Sequence, residues 1–110
     1  PRSTPPPFLE PTALRAAPDG QLAISVFRAL RARNLLPLLD EVCRLRGVMN
    51  YELCGRSRSK SVARARHELW WRIRNHSDLR FSYFEIARLF GCDHSTVSHG
   101  IHAHERRIQP

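Results

Sequence analysis

From Gln21 onward the apolar positions of this chain fall at helical intervals. Ala23, Val26, Phe27 and Leu30 mark one face of a first helix, with Arg28, Arg31 and Arg33 off it. Asn34 is placed to cap the next helical stretch, from Leu35 to Arg46, whose stripe is Leu38, Leu39, Val42 and Leu45. Pro37 is tolerated in its first turn, and Gly47 closes it. A short turn of helix from Asn50 to Cys54 carries Tyr51 and Leu53. Ser61 is placed to cap a longer helix reaching about Arg74. On it Val62, Ala65, Leu69 and Ile73 recur every three or four residues, with Trp70 beside the stripe and Trp71 on its flank. Residues 82–90 predict another helix with Phe84, Ile86, Ala87 and Phe90 inward. A last one runs from His94 to about Arg107, with Val97, Ile101, His104 and Ile108 on one side. No stretch alternates as a half-buried strand does, so the expected class is all-α.

The segments between these helices have their own chemistry. Gly55 to Lys60 holds no apolar residue and alternates Arg or Lys with Ser; residues 55–61 read as a basic loop. Asn75 to Arg80 reads as a polar connection. Residues 1–20 contain six of the eight prolines, including Pro5-Pro6-Pro7, and end on Asp19-Gly20. That composition predicts a flexible arm closed by a turn, ahead of one helical domain over residues 21–110.

Ser82-Tyr83-Phe84-Glu85 has capping-box spacing, with a hydroxyl at the start and a carboxylate three residues on. Gly91 ends that helix and Asp93 is placed to start the next. Two helices joined by a short Gly-containing turn form the helix-turn-helix outline, here over residues 82–108. Such a motif offers the first turns of its second helix to the major groove, which brings His94, Ser95, Thr96 and Ser98 forward as base readers. Their short polar side chains donate and accept hydrogen bonds at groove edges.

Charge changes the picture. The 110-residue chain carries a formal net charge of +8, with a pI near 10.9. The excess is local: residues 55–80 hold eight basic side chains against two acids, Glu68 and Asp78. A block of positive charge beside a helix-turn-helix fits phosphate neutralisation and electrostatic steering. The expected partner is double-stranded DNA.

Other chemistries find little support. Asp93-His94-Ser95 holds the residue types of a hydrolytic triad, but consecutive residues at a helix start cannot form a nucleophile-base-orienter chain. His99 and His102 stand three apart on a helix, with no Cys or carboxylate to complete a zinc set. Cys43, Cys54 and Cys92 lack C-x-x-C spacing and read as reduced thiols of a cytosolic, nucleoid-associated protein, with Cys43 in the core. No apolar run reaches the length of a membrane span, and no G-x-x-x-x-G-K-[ST] loop occurs. The expectation is a protein without metal, cofactor, ATPase activity or membrane partner. The chain begins with Pro1, which fits either removal of an initiator Met or a fragment of something longer.

From Leu39 to Ile108 the sequence resembles the C-terminal DNA-binding domain of the bacterial replication initiator DnaA. Two motifs carry the likeness, Arg58-Ser59-Lys60-Ser61-Val62-Ala63-Arg64-Ala65-Arg66 and Asp93-His94-Ser95-Thr96-Val97-Ser98-His99. The latter is similar to that family's D-H-[ST]-T-V-x-H signature. The resemblance implies a helical domain whose basic loop meets phosphates and a minor groove while the signature helix reads the major groove, at a short A·T-rich site like a DnaA box. It implies Arg58 as the minor-groove arginine, DNA contacts from Arg64, Arg66 and His67, with Arg56, Lys60 and Ser61 in the surrounding basic loop, and Asp93, His94, Ser95 and Thr96 at the base-reading positions, with His99 closing the signature as a further DNA-binding candidate. The chain departs from the family in its turn, where Gly91-Cys92 stands for a longer Gly-Gly-Arg run, and at Ala65, where the family has Pro. Two other readings remain open. One is the DNA-targeting part of a transposase or other mobile-element enzyme. The other is an adaptor holding a protein partner through residues 21–47, with DNA contact secondary.

Overall fold

The helical periodicity is realised as six helices among the described residues, with no strand. The structure, a computed structural model, describes residues 18–76 and 81–109. The Pro-rich arm expected ahead of Pro18, and Asp78 and Arg80 of the polar connection, lie outside the described residues. The helices are α1 (Pro18–Ala32), α2 (Leu36–Arg46), α3 (Asn50–Cys54), α4 (Lys60–Arg74), α5 (Tyr83–Phe90) and α6 (His94–Ile108). No helix among the described residues is long and apolar enough to cross a membrane.

α4 is the central post. α2, α3, α5 and α6 all lean on it, and α1 closes the far side against α3, α5 and α2. Its inner face is the stripe read from the sequence: Val62, Ala65, Leu69 and Ile73 are buried, and Trp70 is buried beside them. Ala23, Val26 and Leu30 come in from α1, Leu39 and Val42 from α2, Ile86, Ala87 and Phe90 from α5, Val97 and Ile101 from α6. Burying a side chain of this size contributes about 1.5–3 kcal/mol. The shared core therefore outweighs the weak intrinsic stability of helices this short.

Helix ends explain several departures from expectation. α1 starts at Pro18, so Asp19 and Gly20 belong to its first turn rather than to a turn before it; proline suits a first helical position because its missing N–H has no partner there anyway. Asn34 does not cap α2. It takes the left-handed conformation (φ 60°) that ends α1, a conformation asparagine tolerates better than most residues. Leu35 N–H then donates back to Leu30 O at 2.9 Å. α4 begins at Lys60 with Ser59 at the cap position and no side-chain cap bond, so Ser61 lies inside the helix; its Oγ is 2.9 Å from Ser59 Oγ. The capping box of α5 forms as expected: Ser82 Oγ accepts from Glu85 N–H at 3.1 Å, and Glu85 Oε1 accepts from Ser82 N–H at 2.8 Å.

Three apolar residues expected inside are outside. Leu45 is 55% exposed, Phe84 61% and Ile108 52%. Ile108 is the last residue of α6. Leu45 lies seven residues beyond the half-buried Leu38, on the flank of a stripe centred on Leu39 and Val42. On α5, Tyr83 and not Phe84 shares the side of Phe90, because seven residues at roughly 100° each close almost two full turns; Tyr83 is half-buried against the core.

An ionic cluster around the buried Glu68 joins α2 to α4. Glu68 Oε1 accepts from Arg46 Nε at 2.7 Å and Oε2 accepts from Arg72 Nε at 3.0 Å. Arg72 also reaches Glu41 at 3.3 Å. Burial alone would raise the Glu68 carboxyl, but the hydrogen bonds from Arg46 and Arg72 outweigh it and hold the group below its ordinary range.

Candidate nucleic-acid interface

Gly91 makes the turn between α5 and α6. Its φ of 66° is left-handed, and Cys92 N–H donates to Ala87 O at 3.0 Å, closing the end of α5. Only Gly91, Cys92 and Asp93 separate the two helices. A Cβ on Gly91 would also stand 3.1 Å from Leu22 Cδ1, so α1 braces the turn directly.

α6 packs through Val97, Gly100, Ile101 and His104. That phase leaves Asp93, His94, Ser95, Thr96 and His99 exposed, with Ser98 half-buried. Asp93 has the backbone of an N-cap, and its C=O accepts from Thr96 N–H at 3.1 Å, but its carboxylate makes no cap bond. Gly100 lets α6 lie close on α4: a Cβ there would come within 2.6 Å of His67 Cδ2 and 2.8 Å of two Trp70 ring carbons. Trp70 is accordingly a core residue, edge-on to Phe90 at 5.7 Å.

The basic loop is held by an arginine of the helix that follows it. Arg66, from the second turn of α4, donates to the carbonyls of Leu53 (Nε, 2.9 Å), Glu52 and Gly55 (Nη2, 3.0 Å each) and Ser57 (Nη1, 3.4 Å). Its guanidinium is half-buried under the loop. Arg56, Arg58, Lys60, Ser61 and Arg64 are exposed. A cleft runs between loop and turn, lined by Arg56, Arg58, Ala63, Phe90, Cys92 and Thr96. The two sequence motifs, separated along the chain between Arg66 and Asp93, therefore border one surface.

His67 lies beneath that surface, in a shallow depression with Ser95, Thr96, His99 and Gly100. Its ring is tilted on Trp70 at 5.7 Å, and Arg107 Nη1 is 3.3 Å from its Nδ1. Burial, then the positive charge of Arg107 and Arg66, pushes its pKa down to about 4, so the ring is neutral at pH 7. His104 is buried beside Trp71, and burial lowers it as well.

Two residues outside the sequence-predicted group stand at its edge. Arg107 reaches it through His67; its place near the C-terminus of α6 has an equally good explanation in the helix dipole. Phe84 stacks on His94, ring centroids 4.1 Å apart and planes 24° off parallel. Its apolar character alone assigns it to the core.

Residues 37–103 match the family described as bacterial DnaA protein helix-turn-helix. The chain belongs to that family. The match spans α2 through most of α6, so the basic loop, α4 and the turn-and-helix signature all fall inside it, whereas α1 precedes it. No curated protein and no solved structure matches the chain. Membership of the DnaA helix-turn-helix family makes this a DNA-binding domain of the double-stranded type.

Proposed function

We propose that the chain binds double-stranded DNA sequence-specifically, at a short A·T-rich site of DnaA-box type, with no ATPase activity of its own. The single observation that carries the reading is the shared cleft of Arg58 and Thr96, loop on one wall and first turn of α6 on the other. One sugar-phosphate strand between a minor and a major groove fits such a cleft. Arg58 then enters the minor groove, whose negative potential is greatest where A·T pairs narrow it. Arg56, Lys60 and Arg64 neutralise phosphates, with Ser61 as a hydrogen-bonding neighbour. His94, Ser95, Thr96, Ser98 and His99 address base edges, and the uncapped Asp93 carboxylate suits a cytosine amino group. His67 supports this face from below. Arg66 has its donors on carbonyls of the end of α3 and of the loop, so its part is to shape the loop rather than to neutralise phosphate. Nucleoid association follows from such binding. The same interface would serve a mobile-element enzyme whose catalytic part lies elsewhere.

Selection from random duplex DNA with the purified chain tests this. The expected product is one short A·T-rich consensus, bound far more tightly than a scrambled duplex. His94→Ala and Thr96→Ala should each cost about 1–3 kcal/mol on the consensus and little on the scramble. Equal weakening on both duplexes would refute base reading by α6.

A further inference from the structure

Phe84 is a large apolar side chain left in solvent beside the first residue of the reading helix. A single exposed apolar residue by itself needs no explanation. What distinguishes Phe84 is its geometry with His94: nearly parallel rings with centroids 4.1 Å apart. Among the described residues no hydrogen bond holds the ring nitrogens of His94, so this stack is what orients the imidazole. A stack suits a base reader. It fixes the plane of the ring while leaving both nitrogens, which lie in that plane, open to a partner. A hydrogen-bonded orienter would occupy one of them.

The platform under His94 is itself held. Phe84 sits in the first turn of α5, between the two members of the reciprocal Ser82–Glu85 cap. Arg33, just past the end of α1, reaches Glu85 at 3.8 Å. Tyr83, the neighbour of Phe84, is fixed by the Arg74 guanidinium 4.7 Å over its ring. The capped turn sets the backbone of Phe84, Phe84 sets the plane of His94, and His94 meets the groove.

We propose that Phe84 is a specificity-determining positioning residue, which orients His94 by ring stacking for base recognition. This rests on the DNA-reading role given to α6 above. Its physical advantage is preorganisation: a side chain already immobilised loses less conformational entropy on binding than one ordered by the DNA.

The test is a double-mutant cycle on the full chain, using the selected duplex and its scramble, with proton spectra of the His94 ring. In the wild type the His94 ring protons should show upfield ring-current shifts. In Phe84→Leu those shifts should vanish, affinity for the selected duplex should fall on the order of tenfold, the scale of one lost base contact, and scramble affinity should hold. Phe84→Trp, which keeps an aromatic face, should recover both shift and affinity. On a His94→Ala background, Phe84→Leu should cost almost nothing more. Full affinity in Phe84→Leu would overturn the proposal. So would an undiminished loss on the His94→Ala background, which would make Phe84 a DNA contact in its own right. A melting curve for each variant separates misfolding from either result; if Phe84→Leu melts early, the Trp variant and the cycle decide. A wild type that binds both duplexes alike would remove the DNA-reading role and this inference with it, whereas a discriminating wild type with an indifferent Phe84→Leu removes only the inference.

Discussion

Gly100 lies flat on Trp70: a Cβ at Gly100 would stand 2.8 Å from two carbons of the buried indole. The contact sets how closely α6 approaches the central post. Gly100→Ala gains about 1 kcal/mol of helix propensity. It must also push against an indole wedged by Phe90 and a His67 ring at 2.6 Å, and overpacking of this kind costs about 1–3 kcal/mol. We expect a lower melting temperature and weaker binding to the selected duplex; an unchanged or raised melting point would show that α6 rides outward freely.

Arg64 and Arg66 differ by two positions and should differ in salt response. Arg64 is exposed, and Arg64→Ala should lower the log–log salt slope of DNA binding by about one unit, on specific and scrambled duplexes alike. Arg66 has its donors on four carbonyls. Arg66→Lys keeps the charge and loses the planar fork, so it should leave the slope nearly unchanged while reducing discrimination in favour of A·T-rich sites. Filter binding or fluorescence anisotropy across a salt series reads both, and a slope change in Arg66→Lys like that of Arg64→Ala would assign Arg66 to phosphate.

His67 predicts a stability loss in mild acid. Its folded pKa of about 4 lies below the ordinary histidine value of 6.5, because burial first and Arg107 second oppose protonation. Between those values the unfolded chain binds more protons than the folded one, so stability falls as pH drops from about 6.5 towards 4. His104 is shifted in the same direction. Melting curves across this window should fall more steeply for the wild type than for His67→Gln; parallel curves would mean His67 titrates normally.

Removing residues 1–34 should unfold the chain rather than expose a binding surface. Ala23, Val26 and Leu30 are 2%, 1% and 0% exposed, and they close the core against α3, α5 and α2. A deletion that kept a cooperative melt and full DNA affinity would instead show that residues 21–34 are dispensable for both, and would favour a protein partner as the role of residues 21–47.

The helices were legible wherever one stripe faced one neighbour. Val62, Ala65, Leu69 and Ile73 read as α4, and the Ser82–Glu85 box read as the start of α5, because both signals are local. Arg66 was not legible as a clamp. In the sequence it is one more basic residue in a basic block, and only the return of the loop over α4 brings the carbonyls of Glu52, Leu53, Gly55 and Ser57 to it. Phe84 failed for a different reason. Hydrophobicity assigned it inward although helical phase favoured Tyr83, and a surface stack on His94 across the turn leaves no trace in spacing. Gly100 carried no signal at all, since the approach of α6 to Trp70 depends on the tertiary arrangement.

The bracing of Gly91 by Leu22 has a mechanical side. α1 lies ahead of the family match, yet it touches the hairpin that aims α6. A pull or twist arriving along the polypeptide at Pro18 meets a helix seated on the helix-turn-helix, not a slack leash. Orientation at one end is thus geared to orientation at the other. Anything anchored to α1 would share the heading that the bound duplex imposes, and would turn with the DNA as a rigid passenger.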